Sequence, residues 1–258
     1  MTGGGSGIGS AVARRLAGDG YGVIVTGRRA EACNAVVGEL EAAGHEALAV
    51  AADVGDPADA GRVLAAAVER FGGVDVLVSN AGIGDAAPVL EETPEGWDRV
   101  MRTNLTGAFL MARAALPTLI ERRGSVVTIS SVNGVLAGPG WAAYCTSKAG
   151  LIMLTRTLAN DYGPQGVRAN CVCPGWVRTP MADFDMDEVA RMHGVDREAA
   201  YRLTHAENPL RRPGEPEEVA SVVAFLSGPD AAYVNGATVP VDGGTSIVDP
   251  TAAGQFSS

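Results

Sequence analysis

Tyr144 and Lys148 lie four residues apart in AAYCTSKAGLIMLTRTLA, a stretch with helical character. On a helix that spacing puts both side chains on one face. The chemistry it permits is proton transfer. A phenol with a pKa of about 10 is a poor acid–base group at neutral pH unless a cation holds the phenolate. A lysine one turn away supplies that cation. Ser130 and Ser131 end the preceding apolar run. A hydroxyl there can hold a substrate oxygen at the carboxyl edge, where α/β sheets place their ligands. Taken alone, the pair also fits a surface helix with a solvated lysine and a half-buried tyrosine.

A second constellation is TGGGSGIG at 2–9, in which Gly3, Gly7 and Gly9 fall as G-x-x-x-G-x-G before a helical pattern at 10–17. Glycines permit positive φ and let the backbone approach a pyrophosphate. The helix that follows offers unpaired N–H groups and the positive end of its dipole. Glycine-rich turns are common, so the loop alone does not decide. It lacks the Gly-Lys-Ser/Thr ending of an ATP-binding loop, which argues against a nucleoside triphosphatase.

These groups need a scaffold. Short apolar runs at 22–26, 47–51, 74–79, 125–130, 168–172 and 238–241 have little polar alternation, as expected of parallel strands covered on both faces. Between them lie helical patterns. Ala60, Val63, Leu64, Ala67, Val68 and Phe71 make one apolar stripe along 57–71, behind an Asp56 cap and a first-turn Pro57. Val219, Val222, Val223 and Leu226 repeat the pattern. The alternation predicts an α/β fold, a doubly wound parallel sheet with helices on both faces. There is no internal repeat or linker, so 1–258 reads as one domain. One element is missing. A phosphate-cradling turn needs a strand running into it, yet only Met1 precedes the glycine motif. The expectation is a gap in the middle of the sheet, with the missing strand encoded upstream.

With 258 residues, 47% of them hydrophobic and 19% charged, the chain has ample material for a core, which excludes a disordered or fibrous protein. The net charge of −10 argues against nucleic acid and anionic membranes as partners. No apolar run approaches the ~18 residues of a membrane span. Four cysteines in this length are not a disulfide framework. Cys171 and Cys173 are spaced C-x-C in an apolar run, where the strand is expected to turn them to opposite faces, and His45, His193 and His205 are scattered. No metal site is expected, and reduced thiols fit a cytoplasmic protein.

The motifs taken together resemble the short-chain dehydrogenase/reductase family, from Thr2 to about Gly244. They are TGGGSGIG, Asp53, NAG at 80–82, Asn104, Ser131 thirteen residues before the tyrosine, YCTSK at 144–148 and PGWVRT at 174–179. The resemblance implies a nicotinamide-dependent oxidoreductase on a Rossmann-like fold. Tyr144 is then the acid in reduction and the base in oxidation. Lys148 lowers its pKa and holds the nicotinamide ribose, Ser131 holds the substrate oxygen, and Asn104 holds a water that relays protons from Lys148. The implied cofactor site includes Gly3, Ser6, Gly7, Ile8 and Gly9 in the loop, and Asp53 and Val54 near the adenine. Asn80, Ala81 and Gly82 follow along the middle. Pro174, Gly175, Val177 and Thr179 lie at the nicotinamide, beside Tyr144 and Lys148.

Gly27 occupies the slot where an acidic residue would select NAD(H), and Arg28 and Arg29 follow. An arginine fork suits a phosphate dianion, so NADP(H) is favoured over NAD(H), although Ser6 stands where some NADP-dependent members carry a base. The alternatives are an NAD-dependent alcohol dehydrogenase and a dinucleotide-binding protein impaired by the missing strand. The segment 180–209 is the expected helical lid, with Met181, Phe184, Met186, Met192 and Tyr201. Further pocket candidates are Ile83, Val132, Asn133, Val135, Trp141 and Trp176. His193, His205 and Trp97 read as surface or packing residues, and Arg211 and Arg212 as structural. A small, largely apolar ketone or secondary alcohol is the expected substrate. NGATVPVDGGTS resembles the family's last strand, which implies a homotetramer or homodimer.

Overall fold

The structure, a computed structural model, describes residues 1–248. The chain opens with the glycine loop and α1 (Gly7–Gly18), then β1 (Val23–Gly27), α2 (Ala30–Ala42), β2 (Ala47–Ala51), α3 (Pro57–Phe71) and β3 (Val76–Ser79). Next come α4 (Pro94–Met101), a π-helical turn at Arg102–Thr106, α5 (Gly107–Arg122), β4 (Ser125–Ile129) and α6 (Ala142–Tyr162). The chain continues through β5 (Arg168–Pro174), α7 (Pro180–His193), α8 (Arg197–Thr204), α9 (Pro216–Ser227) and β6 (Thr238–Val241). The tail from 249 onward lies outside the described residues.

Local signals explain the best-placed elements. Asp56 accepts a hydrogen bond from the Ala58 amide at 2.8 Å, Pro57 occupies the first turn, and Gly72 closes α3 with φ 74°. The run expected at 168–172 extends to Pro174, because β6 pairs alongside it as far as Val241.

Every strand pairing is parallel, but the sheet comes in two pieces, β1–β2 and β3–β4–β5–β6. Met1 and Thr2 join them at the carboxyl end. The Thr26 amide donates to the Met1 carbonyl at 3.0 Å and the Thr2 amide to the Val78 carbonyl at 3.0 Å. The expected break in the central sheet is therefore present along most of its length, and the end that feeds the glycine loop is closed.

Strand side chains alternate between two cores. Val25, Val78, Val127 and Val172 pack with α1, α2 and α9. Ile24, Leu77, Val126 and Ala169 pack with α3, α5 and α6 on the opposite face. Residues two apart share a face, so strands covered on both sides must be apolar throughout. The same period corrects the reading of the C-x-C pair. Cys171 and Cys173 point to one face, where both are buried with Ile152.

Candidate active site

A cavity of about 1180 Å³ opens at the carboxyl ends of the strands. Its first wall is the glycine loop. Gly3 and Gly7 take φ of 63° and 53°, which glycine adopts without strain. Gly9 has an ordinary helical backbone, yet a Cβ there would run into the Gly3 carbonyl, so the loop folds directly onto α1. Thr2 and Asn80 hold this turn. The Thr2 hydroxyl accepts from the Asn80 and Ala81 amides at 2.9 and 3.1 Å, and Asn80 Nδ2 donates to the Thr2 and Gly3 carbonyls. Asn80 is therefore a staple for the loop as well as a lining residue, and Thr2 is a site residue that the motif register left unassigned.

This wall fits the diphosphate of a dinucleotide. Ser6 caps α1 without a side-chain hydrogen bond, and the first turn contains no acidic residue, so the amides and dipole of α1 face the cavity unneutralised. Arg28 and Arg29 line the same end. Among the described residues neither pairs with a carboxylate; Arg29 Nη2 donates to Ser6 Oγ at 3.4 Å. Asp53 and Val54 also line the cavity, Asp53 held by Arg102 at 3.0 Å. Gly82, Pro174, Gly175, Val177 and Thr179 carry the wall toward the centre, with Ile8 beside the loop.

The centre holds Ser131, Tyr144 and Lys148. Lys148 is 4% exposed, its Nζ donates to the Ile129 carbonyl at 2.9 Å, and it sits 5.5 Å from the Tyr144 ring centroid. Burial pulls its pKa down to about 8, with Cys171 and Cys173 acting the other way. Tyr144 lies above the usual phenol value because it is desolvated. The Ser131 hydroxyl lowers it, while Cys145 and Asp185 add to the rise. In this arrangement the Lys148 ammonium is held by the Ile129 carbonyl, and desolvation is the largest influence on the phenol.

Asn104 does not line the cavity; it lies just behind, 1% exposed, on the π-helical turn between α4 and α5. Its Oδ1 accepts from the Ile83 amide at 2.8 Å, and its Nδ2 donates to the Ile83 carbonyl and to Ser147 Oγ. Ser147 in turn donates to the Tyr144 carbonyl at 2.7 Å. Asn104 thus ties the loop after β3 to the helix that carries Tyr144 and Lys148. A Cβ on Gly82 would sit 3.4 Å from Lys148 Nζ and 3.5 Å from Asn104 Oδ1, so the two groups face one small space.

The far wall contains Ile83, Val132, Asn133, Trp141, Trp176, Met181 and Phe184, all named from the sequence. Val135 is not on this wall; it points outward, 52% exposed, because the short turn at Val132–Gly134 ends before it. Reading the pocket as apolar missed Asp85, Arg99, Asp185 and Glu188, which line it too. Arg212 pairs with Glu218 at 2.7 Å, the structural part expected of it. Among the described residues no group of three His, Cys, Asp or Glu is placed to hold a metal.

The model of a family described as enoyl-(acyl carrier protein) reductase matches residues 3–246. The protein MoaE of Klebsiella aerogenes is 43% identical over 98% of this chain and 97% of its own. Meso-2,3-butanediol dehydrogenase of Serratia marcescens is 37% identical over 96% and 94%. The chain belongs to the short-chain dehydrogenase/reductase family. A solved variant of actinorhodin polyketide ketoreductase with NADPH superposes with a TM-score of 0.91 at 38% identity, covering 96% of both chains. The protein is accordingly an oxidoreductase acting on CH–OH or C=O groups, on the α/β fold described above.

Proposed function

We propose that this short-chain dehydrogenase/reductase interconverts a small ketone and its secondary alcohol with NADP(H), using Ser131, Tyr144, Lys148 and Asn104. One observation carries the reading. A tyrosine–serine–lysine group and a glycine loop with an unneutralised helix start face each other across a single cavity.

The bound nicotinamide would supply or accept the hydride. The α1 amides and the loop would hold its diphosphate, and Arg28 and Arg29 the extra phosphate on the adenine ribose. Two guanidiniums without carboxylate partners, following Gly27 where an acid would stand, support NADP(H). Ser131 and Tyr144 Oη would aim two hydroxyls at the substrate oxygen, stabilising charge that develops there. Tyr144 is protonated at neutral pH, since its pKa is raised. It is therefore ready to give its proton to a carbonyl oxygen. As a base it must first lose that proton, so alcohol oxidation gains as pH climbs. Lys148, with a pKa near 8, would restore the proton, and the space shared with Asn104 Oδ1 would admit the relaying water.

Trp141, Trp176, Met181 and Phe184 support a substrate with an apolar body. Phe109 on α5 and Met153 on α6 leave apolar side chains exposed, which supports a homodimer or homotetramer. No helix among the described residues is long and apolar enough to cross a membrane. The test is a panel of ketones and secondary alcohols assayed with NADPH and NADH. Turnover with NADPH preferred supports the reading. A strong NADH preference overturns the cofactor choice, and inertness across the panel with both cofactors overturns the reaction.

A further inference from the structure

Four carboxylates line the cavity: Asp53, Asp85, Asp185 and Glu188. Two are neutralised, Asp53 by Arg102 and Asp85 by Arg99. Asp185 and Glu188 have no ion-pair or hydrogen-bond partner among the described residues.

Their neighbours on α7 make this pointed. Asp183 accepts from the Tyr201 hydroxyl at 3.0 Å and lies 3.5 Å from Arg197. Asp187 takes two hydrogen bonds from Arg197, at 2.6 and 2.7 Å. The acids facing α8 are therefore satisfied within the protein, and those facing the cavity are not. The available cations do not serve them: Lys148 is held by Ile129, Arg99 by Asp85, and Arg28 and Arg29 stand at the cofactor end. Asp185 is half-buried, and its charge is felt at the Tyr144 phenol. Burial and the neighbouring Glu188 both raise its pKa, so the two acids form an unneutralised corner of the cavity that a cation entering the cleft would relieve.

We propose that Asp185, assisted by Glu188, determines specificity by receiving a cationic group of the substrate, an ammonium carried near the reacting carbinol or carbonyl carbon. The inference rests on the dehydrogenase reading of the cavity. The ammonium pairs with Asp185 while the apolar body lies against Trp141 and Phe184. A substrate with a carboxylate at the same position meets like charge and is rejected.

Three alcohols of nearly equal size separate the alternatives: isopropanolamine, sec-butyl alcohol and lactate, oxidised with NADP+ and with NAD+ at a pH where the amine is charged. The expected order of kcat/KM is isopropanolamine, then sec-butyl alcohol, then lactate, with roughly tenfold between the first two. In Asp185→Asn the ratio of the first to the second falls about tenfold, and Glu188→Gln moves it the same way by less. Asp185→Lys inverts the order in favour of lactate. Turnover indifferent to charge, or a ratio unmoved in Asp185→Asn and Asp185→Lys, overturns the specificity role and leaves the dehydrogenase reading standing. Failure of all three alcohols with both cofactors, alongside inertness across the broader panel, overturns both.

Discussion

The two walls of the cavity are built in different ways. The cofactor wall is mostly backbone: the Gly3 and Gly7 turn, the first amides of α1 and the ends of β1, β3 and β5, pinned by Thr2 and Asn80. The substrate wall is mostly side chains, among them Met181, Phe184, Asp185 and Glu188 on α7, a helix that shares a small core of Ala182, Met186, Ala190, Ala200 and Tyr201 with α8. A backbone wall needs particular residues where conformation or close approach demands them. A side-chain wall can change its chemistry without changing its fold. This contrast predicts one generic and one particular half of the site.

The group between the walls should give the largest effect. Tyr144→Phe is expected to lower turnover by about 10³-fold or more while NADPH still binds, measured by steady-state rates and fluorescence titration. On the cofactor wall, Arg28→Ala with Arg29→Ala should weaken NADPH by roughly tenfold to a hundredfold and leave NADH nearly unchanged. Equal losses for both cofactors would show that the arginines do not read the extra phosphate. Gly9→Ala should weaken both cofactors by about tenfold, because its Cβ displaces the Gly3 carbonyl. On the substrate wall, Met186→Ala should raise KM for the alcohol several-fold, with the NADPH Kd within about twofold, by loosening α7 against α8. If the NADPH Kd moved as much as KM, the walls would not be separable.

The smallest effect concerns stability. Lys148 is buried, with its pKa lowered to about 8. The unfolded chain binds that proton more tightly, so the charged group destabilises the fold below pH 8, and the cost fades as pH rises toward the ordinary lysine value. Lys148→Met should therefore raise stability at pH 7 by about 1–2 kcal/mol, read as a higher Tm, after allowing for the Ile129 carbonyl it leaves unpaired. The gain should shrink at alkaline pH.

The sequence by itself determined the parallel sheet, the glycine loop, the helical register of Tyr144 and Lys148, and the break beside β1. These depend on local conformation and on periods of two and 3.6 residues, which a chain shows openly. It did not disclose the π-helical turn that buries Asn104 and turns it toward Ile83 and Ser147, since no residue preference marks one extra residue in a helical turn. The C-x-C pair was misread because the period of two was applied to the wrong neighbours. Val135 looked like Val132 but fell one short turn beyond the wall. The acids of α7 are four carboxylates within six positions, alike in sequence. Only packing against α8 decides that Arg197 answers Asp183 and Asp187 while Asp185 and Glu188 face the cavity. Charge neutralisation depends on which distant elements meet, and the tertiary structure alone brings those elements together.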